Sequence, residues 1–413
     1  MRVMRTLCLV LLAFIVALHA TTPSIYAYVG RITPDSFLLA WGTAEGDGNT
    51  IGRASASLGG GVVAVNDRQF LTQSNWVEVT GLDSDHDYPY SVVVNGQEIA
   101  KGHIRTYPRV ADRLSFFVIG DYGTGKTPQY EIAAAMMREL EKKRASDSPV
   151  RFVLTTGDNV YAGGQDRDWK AKFFEPYKQL IREIPFYPSV GNHDRQAASN
   201  SPGGELRTYM DNFFLPADEL TPYYAFSFGA LVDFFALDTT NLSKKAALNA
   251  SLVKGGGQLL WLEDSLQRAK DPWKIAYFHH PPFTAGPNHK PSLDQLTSVV
   301  DLFKKSMVQV VFSGHEHNFQ FTEQTQVTGK TLYVVSGAGG ELRNGEIYSK
   351  MASAGIAGTA PQHHFLLVEV DREKLTITPL SSEPVSVEDA NRRPVSLPIV
   401  VDVVAQQERR NHD

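Results

Sequence analysis

Phe152-Val153-Leu154-Thr155-Thr156-Gly157-Asp158-Asn159-Val160-Tyr161 is the stretch from which the fold of this 413-residue chain is read. Its first half is a short apolar run of strand length, and its second half places a carboxylate, an amide and a phenol on the turn that follows. The glycine between them lets the backbone turn sharply, so short side chains stand out over the end of the strand. Four more segments repeat the arrangement. Gly120-Asp121-Tyr122-Gly123 follows Ser115–Ile119, Gly191-Asn192-His193-Asp194 follows Phe186–Val190, His279-His280-Pro281-Pro282 follows Ile275–Phe278, and Gly314-His315-Glu316-His317 follows Val308–Phe312. Taken singly, a Gly-Asp marks a turn, an Asn-His a cap, and a strand histidine a satisfied core residue. Five in order, each at the carboxyl end of a predicted strand, mark the edge at which α/β sheets bind ligands.

Outward from these segments, apolar strands alternate with amphipathic helices. Thr127-Pro128 predicts a helix start, as an N-cap followed by proline, with Ile132, Ala135, Met136 and Leu140 on one side. Val232–Leu237 predicts a further strand, Leu259, Leu262 and Leu266 a second helix, and Ser292 to Lys305 a third. After Thr331 the pattern returns to β through Leu332–Val335, His364–Val370 and Leu375–Pro379. The rhythm predicts an α/β layered domain over 114–380. Residues 384–413 read as a patternless extension, its end from Gln406 disordered. Before Pro108 no helical period is present. Ser36–Trp41, Trp76–Thr80 and Tyr88–Val94 predict strands, and Asn95-Gly96 a tight hairpin turn, giving a small all-β sandwich over 25–107. Leu82 followed by Tyr88 resembles the tyrosine corner of fibronectin type III modules. For a lone copy joined to an enzyme, packing on its neighbour is the expected role.

Composition bounds the chemistry. Residues 1–20 carry Arg2 and Arg5, an apolar run from Leu7 to Leu18, and a small residue at the end, the pattern of a secretory signal peptide. Leu18 departs from an A-x-A cleavage site, and the other reading is an uncleaved anchor. The only cysteine, Cys8, lies inside this segment. The exported protein is thus expected to lack disulfides and to use no thiolate chemistry. Loss of Arg2 and Arg5 takes the charge from −5 to −7. No basic run is present, which speaks against nucleic acid as a bulk partner. Asn241-Leu242-Ser243 and Asn249-Ala250-Ser251 match glycosylation acceptors.

Carboxylate, amide oxygen and imidazole suit iron, manganese or zinc. An aspartate bridging two ions about 3.5–4 Å apart is the arrangement used for in-line displacement at phosphorus. On these motifs the chain resembles the calcineurin-like metallophosphoesterases, and among them the purple acid phosphatases, from Leu114 to about Val370. Most members of the wider group read Asp-x-His at the first motif, whereas here Gly123 stands third. Tyr161, three residues past Asp158, matches the tyrosinate ligand of purple acid phosphatases. The resemblance implies a layered β-sandwich flanked by helices. It implies that Asp121, Tyr161 and His317 hold iron(III), with Asp158 bridging. Asn192, His279 and His315 would hold a divalent ion (iron, zinc or manganese). His279 is preferred over His280 because the family's ligand stands two residues before the proline; His280 then packs structurally. His193 would face the phosphate. His289, ten residues past His279, is either a substrate contact or a solvated loop residue, since Asn288 breaks the family's paired histidines. Asp194 stands where these phosphatases usually have glutamate and reads as an orienting group.

The implied function is a secreted phosphatase of phosphate monoesters working at acid pH. A hydroxide on the metal pair would attack phosphorus while His193 and His289 bind phosphate and protonate the leaving alkoxide. Two other functions remain open on sequence: a phosphodiesterase acting on nucleotides or phospholipid headgroups, and a surface-binding protein with an inactive phosphoesterase scaffold. The complete ligand set argues against the last.

Overall fold

Along the strand Val232–Ala236, neighbouring phenylalanines serve different cores, because successive side chains of a strand point to opposite faces. Phe234 lies at right angles to Phe116 and to Phe152, with ring centroids 5.4 Å apart in both pairs. Phe235 instead packs with Leu262, Leu266, Val299 and Phe303, which come from helices Gly257–Arg268 and Leu293–Lys305. Two sheets therefore meet face to face over an aromatic core, and helices cover the outer face of one of them. This computed structural model describes residues 24–44, 60–195, 206–216, 221–240 and 252–403. The expected export segment with Cys8, the acceptors Asn241 and Asn249, and the chain end from Gln406 lie outside the described residues.

The first sheet runs Phe186–Pro188, Val150–Thr155, Arg113–Ile119, Phe365–Asp371, Lys374–Leu380, Ile399–Asp402, its first three strands parallel and the rest antiparallel. The second runs Tyr224–Phe228, Val232–Ala236, Trp273–Tyr277, Val310–Ser313, Leu332–Ser336, Phe319–Thr322, Ile356–Ala360, with the second to fifth strands parallel. The alternating rhythm of the sequence is thus shared between two sheets. The parallel strands of both end at one edge of the sandwich, where the polar clusters sit.

Two local expectations are corrected. The first helix spans Thr127–Arg144 with Lys126 as its N-cap, so Thr127 is helical rather than capping. Among the described residues no side chain caps this helix; Gln129 Oε1 instead accepts the amide of Gly125, before the cap, at 2.7 Å. Residues past Glu383 are not patternless either, since Ile399–Asp402 closes the edge of the first sheet. Its Ile399-Val400-Val401 run is apolar and β-branched, a strand signal that the sequence itself carries, although two of the four residues are exposed.

The N-terminal strands form a three-stranded sheet (Ile25–Ile32, Ser36–Thr43, Trp76–Thr80) and a four-stranded one (Arg68–Thr72, Gly61–Val65, Asp87–Val94, Gln97–Arg105). Asn95 and Gly96 turn the hairpin at φ 50° and 78°. The Tyr88 hydroxyl accepts the Asp83 amide at 2.8 Å, as a tyrosine corner requires. This module packs on the larger one through tyrosines. Tyr28 donates to the Asn212 carbonyl at 2.9 Å, Tyr90 to that of Arg182 at 2.8 Å, and the Tyr107 and Tyr187 hydroxyls pair at 2.9 Å.

Candidate metal centre

Three of the polar residues at the shared strand edge hold left-handed backbone: Asp121 at φ 53°, Asp158 at 52° and His315 at 68°. Such conformations cost non-glycine residues on the order of 1–3 kcal/mol each and persist where the surroundings fix them. Here the fixing groups belong to the same cluster. The His315 amide donates to Asp121 Oδ2 at 2.8 Å, and the His193 amide to Asp158 Oδ1 at 2.9 Å. Two glycines make the close approach feasible. A Cβ on Gly191 would stand 2.0 Å from the Asp158 nitrogen, and one on Gly123 1.9 Å from the Asn159 oxygen. Residue 123 therefore has no room for a ligating side chain. Its carbonyl instead accepts the Tyr161 amide at 2.8 Å and anchors the residue that carries the phenol.

The side chains converge in two groups. In the first, Asp121 Oδ1 stands 3.2 Å from the Tyr161 hydroxyl and 3.2 Å from His317 Nε2, and those two are 3.3 Å apart. In the second, His279 Nε2 is 3.0 Å from Asn192 Oδ1, 3.1 Å from His315 Nδ1 and 3.4 Å from Asp158 Oδ1. Asp158 lies between the groups, since the Tyr161 hydroxyl interacts with it as well. Donor atoms of Asp121, Asp158 and His279 all lie within 4.8 Å of one another. All seven residues assigned to the two ions are brought together at this edge, and the Asp121–Asp158–His279 set links the two groups.

The chemistry of these atoms calls for cations. His279 Nδ1 faces the Thr156 carbonyl at 2.9 Å, so Nδ1 carries the hydrogen and Nε2 turns a lone pair toward the oxygens of Asn192 and Asp158. With Asp158 ionised, these lone pairs, 3.0 and 3.4 Å apart, repel. Ligands about 2.1 Å from one ion stand at such separations from each other. Asp121 and Asp158 are 0% and 1% exposed, and among the described residues neither has a lysine or arginine within ion-pairing distance. Burial pushes both carboxyls up to about 7, and the charge of Asp121 adds to the effect on Asp158. Burial and these carboxylates hold the Tyr161 phenol well above its ordinary value. A pair of positive ions would relieve every one of these penalties.

The neighbouring residues divide by contact. Asp194 accepts the amides of Gly191 at 2.7 Å, Asn159 at 2.9 Å and Val160 at 3.2 Å, and the Asn159 side chain at 2.7 Å. It ties the second and third loops together and supports the orienting reading. His193 stacks near Tyr161, centroids 4.7 Å apart. His280 Nδ1 bonds Thr239 Oγ1 at 3.0 Å, though its ring atoms also come within 4.8 Å of those of His279 and His315. His289 lies over His315 with centroids 3.8 Å apart, so the structure places it at the centre and not in solvent. Sequence reasoning missed Arg343, whose Nη1 is 2.7 Å from His289 Nε2, and gave no role to Glu316, whose Oε2 accepts the His289 amide at 2.8 Å. Arg343 lies beyond the carboxyl end of Leu332–Ser336, and the edge rule extended to that strand was the available signal.

The profile of the family "Calcineurin-like phosphoesterase" matches residues 114–319. An uncharacterized protein of Mycobacterium tuberculosis is 26% identical over 325 residues, 70% of this chain, and the chain spans 60% of that protein's length. Tartrate-resistant acid phosphatase type 5 of Sus scrofa is 25% identical over 272 residues, covering 60% of this chain and 76% of that protein. Purple acid phosphatase PPD1 from seeds of yellow lupin (Lupinus luteus) superposes with a TM-score of 0.68 at 16% identity, over 92% of this chain and 74% of that one. The last likeness is one of fold. No helix among the described residues is long and apolar enough to cross a membrane.

Proposed function

Residues 114–319 are a domain of the calcineurin-like phosphoesterase family, and from that premise we propose that the chain is an exported, two-metal phosphatase of the purple acid phosphatase kind, hydrolysing phosphate monoesters at acid pH. The carrying observation is the convergence of two groups of oxygen and imidazole nitrogen atoms of metal-ligating type, each 3.0–3.4 Å apart, on either side of the buried Asp158. In this reading Asp121, Tyr161 and His317 hold iron(III), and Asn192, His279 and His315 hold divalent iron, zinc or manganese, with Asp158 shared. A pair of ions there supplies neutralisation of phosphoryl oxygens and acidification of a water molecule.

The chain's own residues do the rest. His193, its amide fixed on Asp158 and its ring against Tyr161, contacts the phosphoryl group and donates a proton to the departing alkoxide oxygen. His289, over His315, takes part in binding phosphate. Asp194 and Glu316 hold the loops that carry these groups. The acid phosphatases among its relatives support the acid range, and the apolar segment with Arg2 and Arg5 supports export. Elemental analysis of the purified protein tests the reading. Two ions per chain are expected, with 4-nitrophenyl phosphate hydrolysis lost on chelation and Asp158→Asn depleted of both ions. Full turnover by metal-stripped protein contradicts it.

A further inference from the structure

Arg343 is a charged group at the centre that neither ligand set uses. It is half-buried, its backbone amide donates to the His317 carbonyl at 3.4 Å, and its Nη1 meets His289 Nε2 at 2.7 Å. A guanidinium only donates, so His289 accepts through Nε2. His289 is itself fixed, by its ring on His315 and its amide on Glu316. Two loops therefore lock one cation above the candidate ligands. Among the described residues no carboxylate lies within ion-pairing distance of it; Glu341, two residues earlier, pairs with Lys126 at 2.7 Å instead. Nε and Nη2 have no hydrogen-bond partner among the described residues. Its charge reaches Asp121, His193 and His317. A half-buried arginine held in place by a neutral partner, with free donors over the centre, fits an anion.

We propose that Arg343, aligned by His289, binds the phosphoryl oxygen that a monoester has and a diester lacks, and so sets a preference for monoesters. The inference rests on the two-metal phosphoesterase reading. A monoester brings three non-bridging oxygens and between one and two negative charges, the second lost below a pKa of about 6. A diester brings two such oxygens and one charge. Two cation sites account for two oxygens, and the third is the difference between the substrate classes. Free inorganic phosphate offers the same oxygen and binds through the same residue.

The test uses the full-length metal-loaded protein and the variants Arg343→Met and Arg343→Lys. Steady-state kinetics on 4-nitrophenyl phosphate and bis(4-nitrophenyl) phosphate are combined with calorimetric binding of inorganic phosphate. Arg343→Met is expected to lower kcat/KM for the monoester about 10- to 100-fold, mostly through KM, and to weaken phosphate binding by a similar factor. Diester turnover should change less than about 3-fold, with metal content intact, and Arg343→Lys should recover part of the loss. Equal losses on both substrates at full metal content overturn the assignment, as does unchanged phosphate affinity. A wild type that holds no metal and turns over neither ester sinks the underlying reading instead, and the phosphate arm then decides Arg343 alone. Should Arg343→Met fail to fold, Arg343→Lys carries the comparison with a smaller expected change.

Discussion

The phenol oxygen of Tyr161 stands 3.3 Å from Nε2 of His317, and the two residues follow strands of different sheets. The contact ties the carboxyl edge of Val150–Thr155 to that of Val310–Ser313 at the point where both sheets deliver their polar loops. It also brings together two of the donors assigned to one ion. Because each comes from a rigid strand end, their spacing is set by the packing of the sandwich.

The neighbouring histidines are expected to separate cleanly. His279 points its free nitrogen at Asn192 and Asp158, whereas His280 bonds Thr239. His279→Ala should bind one ion fewer and lose about 100-fold or more in kcat. His280→Ala should keep both ions and most activity. Metal analysis beside steady-state kinetics checks the pair, and a reversed outcome would move the ligand to His280.

Asp194→Asn turns one of two accepting oxygens into a donor facing N–H groups of Gly191, Asn159 or Val160. The loss should be about 1–3 kcal/mol of stability. Activity should fall through misplacement of the Asp158 loop while metal content holds. Denaturant titration and elemental analysis measure the two effects separately.

His364 supplies an acid limit on stability that is independent of the ligands. It is fully buried, with Nε2 3.2 Å from Ser336 Oγ and Nδ1 2.9 Å from the Gln362 carbonyl. Burial holds its pKa at about 4, against 6.5 for an exposed histidine. Between those values the unfolded chain binds the extra proton, so stability rises with pH. The contribution is complete above about 6.5 and is lost as pH falls through about 4, at most roughly 3 kcal/mol. Melting curves of His364→Gln should be flatter than wild type between pH 6.5 and 4.

Tyr28 joins the two modules through its bond to Asn212 and its ring contacts with Phe174 and Phe214. Tyr28→Ala should cost about 3–5 kcal/mol, the range for removing a buried aromatic. Calorimetry should register the loss in the transition of the larger module as well. A loss confined to the small module would mean that the interface carries little energy.

The strand-end clusters were legible in sequence because a glycine and a short polar side chain after an apolar run form a local signal. The division of Asp121, Tyr161 and His317 from Asn192, His279 and His315 had no local signal. It is given only by the resemblance, because it depends on which loops two different sheets bring face to face. Strands Gly61–Val65 and Arg68–Thr72 escaped because a short hairpin beside a glycine run reads as loop. Arg343 escaped because its place depends on a bond to His289, which is 54 residues away. Thr127 was misplaced by one residue because the helix starts from Lys126 with no side-chain cap, so cap propensity had nothing to report there.

Tyr161 offers the most direct test of the centre. The resemblance is the ground on which iron(III) is proposed there, a phenolate being a hard anion that suits a strongly charged ion; burial, the largest cause, holds the metal-free phenol well above its ordinary pKa. The measurement is the visible absorption spectrum of the purified protein and of Tyr161→Phe. A broad phenolate-to-iron(III) band is expected to colour the wild type and to be absent from the variant. A colourless wild type that holds two ions and hydrolyses phosphate esters would contradict the ferric assignment, and the same band persisting in Tyr161→Phe would contradict the placement of the ligand.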